Sequence, residues 1–175
     1  MNEELIFRQA RPADAERIME IIRQAQAQMR ALGSLQWQDG YPARADIDND
    51  IAHGYGYVFE KPGAASGAAI AYGAVVFDGE PAYEAIDGAW LTGGDYVVLH
   101  RLAVADGEKG RGVAAEFMRR TEALARRRGA GSFRVDTNFD NRYMLRMLER
   151  LGFAYCGRIV YESGERLAFE KPFAE

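Results

Sequence analysis

The sequence predicts a mixed α/β fold in a single domain covering residues 1–175, and three observations support this. The length is usual for one domain, and a 48% hydrophobic composition is enough for one substantial core. Some stretches repeat apolar residues at three- and four-residue spacing, while others are short β-branched and aromatic runs. The two patterns interleave along the chain with no internal repeat, low-complexity tract or linker between them.

Leu5 to Gln9 reads as a first strand. Pro12 stands where a helix begins, since proline lacks an N–H that a first turn would leave unpaired. Ile18, Ile21, Ile22, Ala25, Met29 and Leu32 form the buried face of that helix, and Gly33 ends it. The polar-aromatic loop LQWQDGYPARAD follows, then a short helix from Asp46 to His53. Tyr55–Glu60 and Ala68–Phe77 read as strands joined by the turn KPGAASG. Residues Asp78 to Asp95 are aromatic and glycine-dotted without a period. Tyr96–Val104 is a strand, and the loop ADGEKGRG leads into a helix from Val113 to Arg128, stopped by Gly129 and Gly131. Phe133–Thr137 is a strand and Asn141–Leu151 a helix. Phe153–Tyr161 and Arg166–Glu170 close the chain as a hairpin.

A formal net charge of −4 argues against general nucleic-acid binding, because a phosphate backbone demands a basic face. No apolar run approaches the ~20 residues of a membrane-spanning helix, and the acidic start MNEELIFRQA does not read as a secretory signal. Cys156 is the single cysteine, and His53 and His100 are the only histidines, so no metal site is expected. A reducing cytoplasm is the expected compartment.

The segment G-R-G-V-A-A, within Gly110 to Ala115, fits the G-x-G-x-x-G/A spacing of a dinucleotide-binding turn. In that fold the strand runs almost directly into the first glycine, whereas here Ala105 to Lys109 intervene after Val104. No Gly-Lys-Ser/Thr follows, so a nucleoside-triphosphate loop fits less well still. Glycines let a ligand approach the backbone, and a helix N-terminus offers N–H groups and a positive dipole end. Lys109 and Arg111 add positive charge. These features suit a diphosphate, and a plain strand-to-helix turn is the alternative.

From Tyr96 to Phe153 the sequence resembles the acetyl-CoA-binding core of the GNAT superfamily of N-acetyltransferases. The residues carrying the resemblance are LAV at 102–104, KGRGVA at 109–114, Asn141 and LGF at 151–153, in the family's order. The opening LIFRQARPADAERI is also family-like, and WQDGYP and YEAIDGAW resemble loops of a bacterial subgroup. The resemblance implies a central, mostly antiparallel twisted sheet flanked by helices, whose fourth and fifth strands splay apart beyond a bulge. It implies acetyl-CoA as co-substrate, with the arm served by Leu102, Ala103 and Val104. The pyrophosphate would be cradled by backbone N–H groups of Lys109, Gly110, Arg111, Gly112, Val113 and Ala114, and Asn141 would contact the arm. Lys109 stands where the family usually has Arg or Gln. Homodimers are common in the family, and the sequence neither demands nor opposes one.

Acyl transfer needs a neutral amine, a held oxyanion and a departing thiolate. A primary amine with pKa about 10 is almost wholly protonated near neutral pH, so a proton acceptor helps. His100 interrupts an apolar strand and is the candidate base; a structural histidine bonded within the sheet is the alternative. The Leu102 N–H would hold the oxyanion. Many family members place a general-acid tyrosine where this chain has Leu148, so no acid is assigned. Trp37, Tyr41, Tyr83 and Trp90 are candidate walls for a small amine with an apolar body, or simply pack their loops. The acceptor expected is a small-molecule amine of amino acid or aralkylamine type. A peptide or protein N-terminus or lysine is the second reading, and a non-catalytic acyl-CoA sensor, suggested by Leu148, the third.

Overall fold

The computed structural model describes residues 4–65 and 68–174. Of the expected turn KPGAASG, Ser66 and Gly67 lie outside the described residues. The strands are β1 (Ile6–Gln9), β2 (Gly56–Glu60), β3 (Ala71–Val76), β4 (Asp87–Gly88), β5 (Tyr96–Val104), β6 (Ser132–Thr137), β7 (Ala154–Tyr161) and β8 (Gly164–Pro172). The helices are α1 (Ala15–Ala31), α2 (Arg44–Ala52), α3 (Val113–Arg127) and α4 (Arg142–Arg150). The strands hydrogen-bond in the order β1-β2-β3-β5-β6-β8-β7-β4. Of the pairings with a described register only β5 with β6 is parallel, so the sheet is mostly antiparallel, as expected. The short β4 precedes β5, so the strands that the resemblance counts as fourth and fifth are β5 and β6. Their register covers Tyr96↔Ser132, Val97↔Phe133 and Val98↔Arg134 and goes no further among the described residues.

The chain divides into two compact units, with β5 and α3 each contributing to both. The first comprises Met1–Val75 and His100–Arg120. In it α1 buries Ile18, Met19, Ile21, Ile22 and Ala25 against Trp37, Ile47, Val58, Tyr72 and Ala103. That buried face is the three- and four-residue pattern visible in the sequence. Leu32, which continues the pattern, is exposed because the helix ends at Ala31 and Gly33 turns the chain at φ +78°. At the other end Pro12–Asp14 forms a single 3₁₀ turn before α1 begins. Phe117 of α3 meets the rings of Phe7 and Phe59 edge-on at 5.2 and 5.0 Å, which seats the first turns of α3 on β1 and β2.

The second unit comprises Val76–Leu99 and Thr121–Glu175. β8 pairs with β6 on one side and β7 on the other, which explains why it runs to Pro172 instead of stopping at Glu170. Met147 and Leu148 of α4 are buried, as are Val97, Phe133, Val135 and Ile159 of the strands. Arg142, Arg146 and Arg150 are exposed, the solvated helix stripe their spacing suggests.

Candidate functional site

The loop between β5 and α3 carries the clearest sequence signal. A 3₁₀ turn at Asp106–Glu108 follows Val104, and Gly110 and Gly112 then adopt φ +79° and +76°. This left-handed region is easily reached only by glycine, since a Cβ costs roughly 1–2 kcal/mol there. A Cβ built on either glycine would meet nothing within 4 Å, so open space lies in front of both. The Glu116 N–H donates to the Gly112 carbonyl at 3.0 Å. N–H groups before Glu116 therefore sit at the helix mouth without intrahelical acceptors. Val113 and Ala114 are buried, while Gly110, Arg111 and Gly112 are exposed.

The loop's own charges are paired off. Lys109 reaches Asp106 at 2.6 Å, and Glu108 takes Lys61 at 2.7 Å and Arg111 at 3.6 Å. Backbone N–H groups, more than free cations, are what this loop offers an anion.

Past Val98, no pairing of the strand leading into the loop with β6 is found among the described residues. Ala105 N–H donates to the Ile70 carbonyl at 2.8 Å. Backbone groups alternate direction along a strand, so the N–H groups of Leu102 and Val104 point to the opposite edge. Pairing with β6 has ended by then, at Val98. His100, half-buried, and Ala103, buried, belong to the same stretch.

Between His100 and Leu102 stands Arg101 at φ +57°, the conformation of a bulge residue inside a strand. Its Nε donates to Asp50 Oδ2 at 2.8 Å, a second nitrogen donates to Oδ1, and a third donates to Tyr41 Oη at 2.9 Å. Tyr72 Oη donates to Asp50 Oδ2 at 2.7 Å, and Asp50 is 1% exposed. Burial works against the Arg101 charge, but the Asp50 hydrogen bonds outweigh it and hold the guanidinium pKa above its ordinary value. Burial, followed by the charge of Asp50, raises the Tyr72 phenol, which stays a donor. Nothing in the sequence links Asp50 to Arg101, because α2 has no apolar period and arginine is not a turn residue.

The candidate aromatic walls differ in burial. Trp37, at 8% exposure, packs in the core of the first unit, whereas Tyr41 is 43% exposed. In the second unit Tyr83 is 1% exposed and donates to Asp136 Oδ2 at 2.6 Å. Tyr161 donates to the same oxygen at 2.9 Å. Burial, then the Asp136 charge, raises the Tyr83 phenol well above its ordinary pKa. Half-buried Trp90 donates to the Tyr83 carbonyl at 2.8 Å, and the Arg134 guanidinium lies over its ring at 4.4 Å.

Arg134 also donates to Glu170 at 2.9 Å. The fully buried Glu170 carboxylate accepts further bonds from Ser132, Thr92 and the backbone N–H of Leu91. Burial pushes its pKa upward, but the bonds from Thr92, Ser132, Arg134 and Leu91 prevail and hold it below its ordinary value. Asn141 caps α4 by accepting from Met144 N–H at 3.2 Å. Leu148 is fully buried and Cys156 is 9% exposed. Among the described residues no group of three or more His, Cys, Asp or Glu side chains is placed to hold a metal ion. None of the described helices is long and apolar enough to cross a membrane.

The chain belongs to the GNAT family of acetyltransferases, whose pattern matches residues 16–153, and this membership makes it an acyl-CoA-dependent N-acyltransferase by class. Members of that family use acetyl-CoA. An acetyltransferase of the GNAT family from Streptococcus agalactiae 2603 is 35% identical, with 98% of this chain and 96% of that one covered and a TM-score of 0.84. A GNAT acetyltransferase from Listeria monocytogenes 4b F2365 shares the fold at 20% identity and TM-score 0.76, covering 97% and 95% of the two chains. The streptothricin acetyltransferase of Streptomyces lavendulae is 33% identical over 61 residues. That match takes in 35% of this chain and only 32% of the relative's length.

Proposed function

We propose that this protein transfers an acetyl group from acetyl-CoA to a primary amine of a small molecule, by direct attack within a ternary complex. The observation that carries the reading is the edge of β5 at Leu102 and Val104, beyond the last pairing with β6 among the described residues, followed after the 3₁₀ turn at Asp106–Glu108 by the left-handed Gly110 and Gly112. Such an edge suits the amide-bearing arm of coenzyme A, and the open backbone of Lys109 to Ala114 at the mouth of α3 suits its pyrophosphate.

His100 takes the proton as the amine attacks, and the Leu102 N–H receives the charge that develops on the carbonyl oxygen. The coenzyme A thiolate then leaves. With leucine packed in the interior at position 148, the departing sulfur has no tyrosine there to protonate it. A thiol is already a fair leaving group, so the step does not require one. Of the candidate acceptor-facing rings in the first unit, Tyr41 keeps solvent-facing surface, while Trp37 is packed in that unit's core. The streptothricin acetyltransferase among the relatives is in line with a small-molecule acceptor. Buried Leu148 is also what favours the third reading, a sensor that binds acyl-CoA without turnover.

Thiol release from acetyl-CoA against a panel of small amines and peptides tests the proposal. Turnover on small amines supports it; turnover on peptides alone moves the acceptor class, and tight binding with no turnover favours the sensor. Replacing His100 with Ala should move the activity profile to higher pH, because the amine must then lose its proton unaided. An unchanged profile would remove His100 as the base.

A further inference from the structure

Arg101 holds a backbone conformation that its own side chain does not favour. Asparagine, aspartate and glycine visit the left-handed region readily, and arginine in mid-strand does not. The restraint comes from α2 and from the loop before it. Asp50 engages the guanidinium through two oxygens, a fork that fixes orientation as well as distance. The carboxylate is itself held by Tyr72, and the far side of the guanidinium is bonded to Tyr41.

We infer that Asp50 is a positioning residue for acyl-CoA binding: its braced ion pair with Arg101 locks β5 in the left-handed turn that aims the backbone groups of Leu102 and Val104 at the acyl-CoA arm. This inference rests on the acyl-CoA reading of β5 given above. The left-handed residue immediately precedes Leu102, so a change of φ at Arg101 redirects every peptide group that follows it toward the loop. Tyr41 links the WQDGYP loop to the same anchor, so the loop assigned to the acceptor and the strand assigned to the cofactor share one buried carboxylate.

The test compares wild type, Asp50→Asn, Arg101→Val and Asp50→Asn/Arg101→Gly for affinity to two probes and for the ligand-free unfolding midpoint. One probe is acetyl-CoA; the other is 3′-phospho-ADP, the nucleotide end of coenzyme A without the arm. Asp50→Asn and Arg101→Val should each weaken acetyl-CoA about tenfold and change 3′-phospho-ADP less than about twofold. The double variant should recover acetyl-CoA affinity to within about threefold, because glycine takes the left-handed conformation without an ion pair to hold it. Its unfolding midpoint should stay low, separating the loss of the ion pair from the backbone effect. Should Asp50→Asn fail to fold, Arg101→Val against the double variant makes the same comparison. Unchanged acetyl-CoA affinity in the single variants, a parallel loss of both probes, or a double variant as weak as the singles overturns the inference. Failure of wild type to bind acetyl-CoA at all would instead overturn the proposed function, and this inference with it.

Discussion

Gly112 bears on both folding and binding. At φ +76° with nothing in front of it, alanine meets no clash but pays the left-handed cost of roughly 1–2 kcal/mol. Its methyl also occupies the space where a diphosphate would approach the backbone. Gly112→Ala should therefore lower the unfolding free energy by about that amount and weaken acetyl-CoA further, as calorimetric titration would show. Glu170 makes a different kind of prediction. Its folded pKa, like that of Asp14 beside Arg8, is held below the ordinary carboxylate value. A depressed carboxyl adds stability above its unfolded pKa and loses it as pH falls through the folded one. Stability should thus decline on acidification from about pH 5. Glu170→Gln should cost about 3 kcal/mol near neutrality, and the gap from wild type should narrow in acid. Denaturant melts across pH would expose a constant gap, which would mean Glu170 is not held ionised by its neighbours.

Among the elements, the glycine loop is held by its own ion pairs, so its cations are not free to clasp a ligand. Lys109→Ala should change acetyl-CoA affinity by less than about threefold, since the pair with Asp106 offers the ligand little net charge. A larger loss, or a strong salt dependence, would show the lysine leaving Asp106 for the phosphates. The same loop shows what sequence patterns convey well: β5 occupies Tyr96–Val104 and α3 starts at Val113, as the spacing implies. Local signals can mislead where one residue serves two purposes. Asp46 looks like the start of α2, but the helix begins at Arg44, and Asp46 reaches back to the Ala43 N–H at 2.7 Å from inside the first turn. In the aperiodic stretch before β5, a 3₁₀ turn at Pro81–Ala85 and the two-residue β4 are too short to leave a period. The candidate site divides in the same way. Glycines, the L-A-V strand and Asn141 announce themselves locally. The pairs Asp50–Arg101 and Asp136–Tyr83 join distant residues, and no sequence spacing encodes them.

For the molecule as a whole, family membership and the mostly antiparallel sheet favour acyl transfer from acetyl-CoA over the dinucleotide reading that G-R-G-V-A-A alone allows. The two readings predict different ligands for one loop. A ligand that binds only the native state stabilises it by RT ln(1 + [L]/Kd), about 2.7 kcal/mol at a hundredfold excess over Kd. The decisive measurement is the thermal unfolding of the intact protein with acetyl-CoA and, separately, with NADH. A saturable rise in midpoint with acetyl-CoA, diminished in Gly112→Ala and absent with NADH, is the result expected. Stabilisation by NADH with none from acetyl-CoA would contradict acyl transfer from acetyl-CoA.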